Sequence, residues 1–359
     1  MENLKETRSF YEENIYGTWR SGETVTFQVH EKSLRKEIHD AQNPFASMFR
    51  LSTVDDGIDV EIKVSTGEKS TSFTVRAYLP EEEERKRFPD GCPVIICMHP
   101  IQPKHYALQK GYAVIFMDSI MIAGDNIEHQ GAFYDLYPYS YYGKDQTGVL
   151  MAWAWGASKV LDAVYGGLDK VFGLNADASI VTGVSRWGKA TAVCGAFEER
   201  FKMVVPTCSG AGGLALWKEK SEGKMYDLTH CGGPAEYVYG QNEPLNCLQS
   251  DAERGWFCDA FLQYHAEKDI PVEQYMLPVL AADSKRLYCI VAAWMGEDWV
   301  NAPSMWICYE EAKKRFAELG LADHILAHFH KEGHAVIEED MEYILTEFER
   351  FFMNSPKTC

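Results

Sequence analysis

Ser185 has the surroundings of a serine nucleophile. It lies in the segment T-G-V-S-R-W-G-K (residues 182–189), between an apolar run typical of a buried strand (178–181) and a helix-like segment (190–197). A sharp turn from strand to helix lifts the serine hydroxyl out of the sheet and points N–H groups at a developing oxyanion. The generic G-x-S-x-G motif has its second glycine two residues after the serine, whereas here it follows at three. The flanking strand and helix still predict a nucleophile elbow and acyl-transfer chemistry.

A base and an acid follow Ser185 in the chain order serine, acid, histidine. His334 comes after the last predicted strand, and the glycine before it lets the backbone turn back toward the serine. Glu297 and Asp298 follow the preceding strand, and either carboxylate could accept the Nδ1–H of this histidine. Paired acids also cap helices, and residues 301–304 look like a helix start. We predict Ser185 as nucleophile, His334 as general base, and Glu297 or Asp298 as the orienting acid.

Two other kinds of site have less support in the sequence. His328 and His330 lie at i and i+2 on a predicted strand and could bind a metal ion together with His334. No H-E-x-x-H pattern accompanies them, so we predict no metal site. The glycine-rich segment 209–213 lacks the G-K-[ST] ending of a nucleotide-phosphate loop. We therefore expect no cofactor.

The elements that would position these residues alternate between strands and helices. This alternation predicts an α/β fold with a mostly parallel central sheet and helices on both faces. Strands are indicated by the apolar runs 92–98, 112–117, 178–181, 203–206, 287–293 and 324–329. Helices are predicted over residues 148–165, 190–197, 304–319 and 338–352.

We predict a single domain over residues 1–359. Residues 1–45 are polar and favour an irregular cap segment with some helix. Residues 49–78 alternate in polarity on both sides of a turn at 65–68, which predicts an antiparallel hairpin. Residues 214–276 are mixed and aromatic, and we expect them to form an insertion or lid over the site.

Composition excludes several classes of partner. The net charge of −18 argues against nucleic acid and against an anionic membrane surface. No apolar stretch approaches the roughly 20 residues that span a bilayer, and the first residues do not resemble a signal peptide. The ten cysteines include no C-x-x-C pair, which favours reduced, mostly buried thiols. Together these features predict a cytoplasmic protein.

Several segments resemble the glucuronoyl esterases, carbohydrate esterase family 15. The segment G-V-S-R-W-G-K (183–189) is similar to the family signature G-C-S-R-x-G-K. Further likenesses follow in chain order over residues 148–335: A-W-A-W-G (152–156), S-G-A-G-G (209–213), the aromatic pattern of 256–264, E-D-W (297–299) beside the family D-x-W, and G-H (333–334). The resemblance implies an α/β-hydrolase fold.

The resemblance also implies a reaction and a substrate. Members hydrolyse the ester between 4-O-methyl-glucuronic acid on xylan and an alcohol of lignin, by a serine mechanism without metal. On this basis Arg186 would stabilise the oxyanion, and Lys189 would bind sugar hydroxyls. Trp299 would stack on the sugar, and Glu243 would hydrogen-bond the uronic acid. The implied partner is a small-molecule or oligosaccharide uronate ester.

Three features depart from the family pattern. Cys208 occupies the place where many members carry the triad acid, so the acid has moved to Glu297 or Asp298 or the triad is weakened. Val184 replaces the family cysteine before the serine, which excludes a disulfide from the elbow to the histidine loop. No export signal is visible. Two alternatives remain open at this point: an esterase or deacetylase acting on another sugar or small ester, and a catalytically weakened carbohydrate-binding homologue.

Overall fold

The sheet that carries the site has nine strands, with two further short strands outside it. The computed structural model describes residues 4–30, 57–98, 103–141, 143 and 145–353. The strands within these residues are β1 (Thr24–His30), β2 (Ile58–Thr66), β3 (Lys69–Tyr78), β4 (Cys92–Cys97), β5 (Ala113–Met117), β6 (Leu174–Val184), β7 (Met203–Thr207), β8 (Met225–Tyr226), β9 (Tyr237–Val238), β10 (Leu287–Met295) and β11 (Ile325–Glu332).

Helices connect these strands and cover the sheet. Those among the described residues are α1 (Leu4–Asn14), α2 (Glu82–Arg85), α3 (Lys104–Gln109), α4 (Ser119–Ile122), α5 (Ala132–Leu136), α6 (Val149–Ala163), α7 (Asp169–Phe172), α8 (Arg186–Phe197), α9 (Leu245–Leu248), α10 (Met276–Leu280), α11 (Ala302–Glu318) and α12 (Glu338–Phe348). No helix of the described part of the chain is both long and apolar enough to cross a membrane.

The sheet runs in the order β1-β2-β3-β5-β4-β6-β7-β10-β11. From β5 to β11 every neighbouring pair is parallel, while β1, β2 and β3 join the other edge as antiparallel strands. The predicted mostly parallel α/β sheet with an antiparallel hairpin is therefore confirmed. The carboxyl ends of β6, β7, β10 and β11 lie side by side, which brings the segments after them to one edge.

Helix α6 shows why the motif A-W-A-W-G lies where it does. Almost the whole helix is buried, and a Cβ added to Gly156 would come within 2.3 Å of the Ile122 side chain. Trp153 donates its indole N–H to the Ala123 carbonyl at 2.9 Å and stacks on Trp187 with ring centroids 5.7 Å apart. Close packing of α6 against α8 supports the turn that precedes Trp187.

The prediction for the first 45 residues was wrong in one respect. Among residues 4–30 the structure has helix α1 and also the strand β1, which the sequence analysis treated as irregular. Strand β1 pairs in antiparallel fashion with β2, with Phe27 opposite Ile62. Its residues are only half-buried because it is an edge strand, so its apolar signal is thin. Residues 31–45 of the predicted cap and residues 49–56 of the predicted hairpin lie outside the described residues.

The segment 214–276 contains little regular structure. Its elements are the two-stranded pair β8–β9, helix α9 and several short 3₁₀ turns. It is attached to the loop after β10, because Tyr237 donates its hydroxyl to Asp298 Oδ1 at 2.6 Å. The Gly240 N–H donates to Oδ2 of the same carboxylate at 2.7 Å. This segment therefore lies next to the carboxyl ends of the central strands.

Candidate active site

Ser185 occupies a strained turn between β6 and α8. Its backbone has φ 63° and ψ −128°, and its N–H donates to the Thr207 carbonyl on β7 at 3.0 Å. A Cβ on Gly183 would come within 2.6 Å of the Trp187 carbonyl, and one on Gly188 within 2.2 Å of the Thr207 carbonyl. Both glycines are therefore required for the turn. The second glycine, three residues after Ser185, is the one that faces β7. Strain of this kind is characteristic of catalytic residues.

His334 and Glu297 form a hydrogen-bonded pair in which the carboxylate is buried and the imidazole is partly exposed. The imidazole Nδ1 of His334 hydrogen-bonds to Glu297 Oε2, and Glu297 Oε1 accepts the Ala293 N–H at 3.0 Å. Glu297 is only 2% exposed. Strands β10 and β11 are parallel neighbours, so the loops after them place the acid and the base together. The carboxylate is thus fixed by backbone and imidazole at once.

Asp298 has a different role from its neighbour. Both of its carboxylate oxygens accept hydrogen bonds from the 214–276 segment, one from Tyr237 and one from Gly240. Burial and the hydrogen bond to Asp298 raise the pKa of Tyr237 to about 12. The helix start expected nearby is present, since the Asn301 side chain accepts the Ser304 N–H at the beginning of α11. Asp298 therefore anchors the insertion and is not paired with the histidine.

Arg186, which directly follows Ser185, is held in place by an ion pair. Its Nη1 lies 2.5 Å from Asp125 Oδ2, and the Trp256 indole N–H donates to Asp125 Oδ1 at 2.7 Å. The guanidinium carbon lies 5.3 Å from the centroid of the Trp256 ring, within cation–π distance. The sequence analysis did not identify Asp125, which lies 61 residues before the arginine. This contact positions a cation beside the first turn of α8.

Lys189 and Glu243 form a buried ion pair. The ammonium donates to Glu243 Oε2 at 2.7 Å and to the Ala211 carbonyl at 2.5 Å. Lys189 is 3% exposed. The Glu243 N–H donates to the Trp299 carbonyl at 3.0 Å, which joins the insertion to the loop after β10. Two predicted substrate contacts therefore hold each other in place at the site.

A cavity of about 390 Å³ opens at Ser185. Its lining includes Arg186, Lys189, Glu243 and Trp299, the residues that the sequence analysis predicted at the site. Trp299 is 46% exposed, and its ring centroid lies 5.3 Å from that of His334. The cavity therefore brings together Ser185, the cations of Arg186 and Lys189, and a solvent-facing aromatic ring beside His334. This volume lies within the range of small-molecule sites.

Glu253 is a cavity residue that the sequence analysis missed. Burial first, and then the charge of Glu243, raise the pKa of its carboxyl above the usual value. Its Oε2 atom is buried and has no hydrogen-bond partner among the described residues. The sequence signal was present, because Glu253 stands three residues before the tryptophan of the W-F motif. Glu253 therefore brings a buried carboxyl with one unsatisfied oxygen to the cavity lining.

The comparison with known proteins decides the family. The family model described as glucuronyl esterase of fungi matches residues 62–320 of this chain. The chain belongs to the glucuronoyl esterase family. This family consists of carboxylic ester hydrolases, and the resemblance found in the sequence is confirmed.

Related proteins of this family cover the chain to different extents. A multidomain esterase of Ruminococcus flavefaciens is 42% identical over 352 residues, which are 96% of this chain and 42% of that protein. A 4-O-methyl-glucuronoyl methylesterase of Hypocrea jecorina is 30% identical over 234 residues, 64% of this chain and 45% of that protein. The chain therefore spans less than half the length of these two curated relatives.

Solved glucuronoyl esterases share the fold. The enzyme of carbohydrate esterase family 15 from Caldicellulosiruptor kristjansonii superposes with a TM-score of 0.82 at 31% identity, covering 99% of this chain and 86% of that one. A serine-to-alanine variant from Sporotrichum thermophile was solved with methyl 4-O-methyl-β-D-glucopyranuronate. It superposes with a TM-score of 0.67 at 19% identity, covering 98% and 82%, a likeness of fold alone.

Cys208, where many glucuronoyl esterases carry a glutamate, lies directly against Glu297. Its backbone has φ 47° and its N–H donates to the Val291 carbonyl at 2.8 Å. Burial, and then the charge and the hydrogen bond of Glu297, raise the pKa of the Cys208 thiol well above its usual range. A neutral thiol therefore donates to the acid that pairs with the histidine. The other departure, Val184, is a buried residue at the end of β6.

The side chains that could bind a metal ion form two separate groups among the described residues. Within the described residues, Cys208, Glu297 and His334 offer ligand atoms within 4.8 Å of one another. Two of these residues are already joined by the imidazole–carboxylate hydrogen bond. His328 and His330, considered as ligands from the sequence, both face Asp340, at 3.4 Å and 3.0 Å from its Oδ1. These two histidines are engaged with a carboxylate away from the cavity lining.

Proposed function

We propose that this chain is a serine carboxyl-ester hydrolase that acts on 4-O-methyl-glucuronoyl esters through an acyl-enzyme. The observation that carries this proposal is the His334–Glu297 pair beside a strained serine elbow. The chain order serine, acid, histidine and the position of each residue after a parallel strand fit this chemistry. The family assignment supports the uronate ester as the acyl group.

The first half of the reaction forms the acyl-enzyme. The Ser185 hydroxyl attacks the ester carbonyl carbon while His334 Nε2 takes its proton, and Glu297 stabilises the imidazolium. The carbonyl oxygen becomes an oxyanion, for which Arg186 supplies its N–H and guanidinium. One such donor contributes about 3 kcal/mol to the transition state. The C–O bond to the alcohol then breaks, and the alcohol leaves with the proton from His334.

The second half regenerates the enzyme. His334 takes a proton from water, the hydroxide attacks the acyl carbon, and Ser185 leaves with that proton. The products are the free uronic acid and the alcohol. Each proton taken by the imidazole is returned in the same half-reaction, so no external acid or base is consumed.

The cavity suits a sugar acid better than a lipid acyl chain. It presents the guanidinium of Arg186, the ammonium of Lys189, and the carboxylates of Glu243 and Glu253. These groups donate to and accept from ring hydroxyls, while the exposed Trp299 ring offers an apolar face to a pyranose. A volume of about 390 Å³ is large enough for one uronate ring.

The test is hydrolysis of methyl glucuronate and benzyl glucuronate by the wild-type protein and by Ser185→Ala. We expect turnover of both esters by the wild type and a loss of about 10⁶-fold in the variant, because the nucleophile is removed. An acetylated sugar serves as the matched substrate control. Turnover of the acetyl ester alone would favour the deacetylase alternative, and sugar binding without any turnover would favour the binding homologue.

A further inference from the structure

His330 lies behind the loop that carries the proposed base. It is on β11, four residues before His334, and only 3% exposed. Its Nδ1 lies 3.0 Å from Asp340 Oδ1, and its Nε2 lies 3.0 Å from the Gly333 carbonyl oxygen. A carboxylate and a carbonyl oxygen both accept hydrogen bonds, so each ring nitrogen has to donate. With Asp340 ionised, only the doubly protonated imidazolium makes both contacts.

Asp340 connects this imidazole to helix α12. It is fully buried and is the third residue of the helix. Its Oδ2 accepts the Ile337 N–H at 2.8 Å, in the arrangement of a helix capping contact. One carboxylate therefore joins the end of β11 to the start of α12. The short loop over residues 333–336 lies between these two fixed points.

The peptide unit before His334 is held from both sides. Gly333 has φ 109°, and its N–H donates to the Met295 carbonyl on β10 at 3.2 Å. Its carbonyl accepts from His330. We propose that His330 is a positioning residue, whose imidazolium, with Asp340 as counter-ion, fixes the Gly333 carbonyl and so orients His334 toward Ser185. This inference rests on the proposed function of Ser185 and His334.

The surrounding charges favour the imidazolium. Burial lowers the pKa of His330, but the hydrogen bond and charge of Asp340, the Gly333 carbonyl and the charge of Glu297 raise it above the ordinary value. His330 faces Asp340 on α12. The other titratable groups near these two side chains are Glu297 after β10, His328 on β11, and the thiols of Cys208 and Cys289.

The sign of the pH dependence follows from this direction. A group whose pKa is raised by folding contributes stability that is present at low pH and lost as the pH rises through the raised value. The contact from His330 to Gly333 therefore weakens on the alkaline side. The alkaline limb of the pH profile is accordingly assigned to His330.

The experiment measures the rate at which a fluorophosphonate labels Ser185 between about pH 5 and pH 10. This readout needs a competent serine and histidine but no particular natural substrate. The variants are His330→Gln, His330→Leu and Asp340→Asn, with His328→Gln as matched control, because His328 also faces Asp340 but does not contact Gly333. Thermal stability at neutral pH is measured for each variant alongside.

The expected results differ between the variants. His330→Gln keeps an amide donor that does not titrate, so labelling loses its alkaline limb. Asp340→Asn removes the counter-ion, so this limb moves to lower pH. His330→Leu removes the donor and slows labelling by about 100-fold at all pH values, as expected for a misplaced base. His328→Gln keeps the wild-type profile, and KM for benzyl glucuronate stays unchanged in His330→Leu while kcat falls.

Two outcomes would overturn the inference. An alkaline limb that is the same in wild type, His330→Gln and Asp340→Asn would show that His330 has a structural role only, even with a lowered melting temperature. No labelling of the folded wild-type protein at any pH would remove the proposed serine mechanism and this inference with it. The first result leaves the proposed function intact, so the two failures are distinguishable.

Discussion

The acid of the site comes from one of two neighbouring residues, and their side chains point to different partners. Glu297 reaches His334 and the Ala293 N–H, while Asp298 holds Tyr237 and Gly240. Spacing along the chain could not rank the two, because both follow the same strand. The backbone conformation at Glu297, with φ −149° and ψ 48°, separates their directions.

Replacing each acid by its amide separates these two roles. We expect Glu297→Gln to lower kcat by about 10³-fold to 10⁴-fold, because the amide no longer stabilises the imidazolium. Asp298→Asn should cost less than about 10-fold and act mainly through the 214–276 segment, since the amide oxygen can still accept the Gly240 N–H while its NH2 donates to the Tyr237 hydroxyl oxygen. Steady-state kinetics on benzyl glucuronate measures both. A larger loss in Asp298→Asn than in Glu297→Gln would contradict the assignment.

The thiol of Cys208 is one of several groups that contact Glu297. Glu297 keeps the Ala293 N–H and the imidazole when the thiol is removed. We therefore expect Cys208→Ala to lower kcat by less than about 10-fold, the cost of one hydrogen bond to a charged group. Cys97, another buried thiol away from the cavity, is the matched control for loss of packing through Cys97→Ala. A loss comparable to that of Glu297→Gln would show that the thiol itself takes part in the reaction.

At the scale of elements, the strands of the parallel sheet were predictable and the edge strand was not. Strands β4 and β5 are buried along their whole length, so their apolar runs identify them directly. Strand β1 has no fully buried residue, and its weak alternation resembles that of a polar cap. The strand–elbow–helix unit around Ser185 was found because its pattern is local in the sequence.

The elbow depends on the absence of a side chain at Gly188. An added Cβ would come within 2.2 Å of the Thr207 backbone carbonyl, which cannot move without disturbing β7. Gly188→Ala should therefore destabilise the protein by about 2–4 kcal/mol and slow the labelling of Ser185. Gly166→Ala is the matched control, because its added Cβ meets no atom within 4 Å. Urea unfolding measures both, and equal effects would argue against the close contact as the cause.

At the scale of the whole molecule, the cavity is assembled from segments far apart in the chain. Three separate regions of the chain meet only in the folded protein. One supplies Asp125, the second supplies Arg186, and the third supplies Glu243 and Trp256. Asp125 belongs to no pattern that spacing rules recognise as a site. The irregular segment 214–276 has no period from which its contacts could be read, and its position depends on tertiary hydrogen bonds.

Glu253 links the cavity to the stability of the whole fold. Its raised pKa means that stability is lost as the pH rises through the folded-state value. Glu253→Gln removes this loss, so its melting temperature should exceed that of the wild type more at about pH 7.5 than at about pH 4.5. KM for methyl glucuronate should rise, because a substrate partner is weakened. A gain in melting temperature that is equal at both pH values would contradict the buried carboxyl as the source.

The ion pairs of the cavity have a consequence for the end of each reaction cycle. Arg186 is matched by Asp125 and Lys189 by Glu243, so neither cation is in excess. On the proposed reaction, the incoming ester is neutral and the released uronic acid is an anion. The anion then lies near Glu243 and Glu253 inside a molecule of net charge −18. Hydrolysis thus converts a neutral ester, which these carboxylates do not repel, into an anion that they do repel. Charge repulsion therefore favours release of the product before the next ester binds.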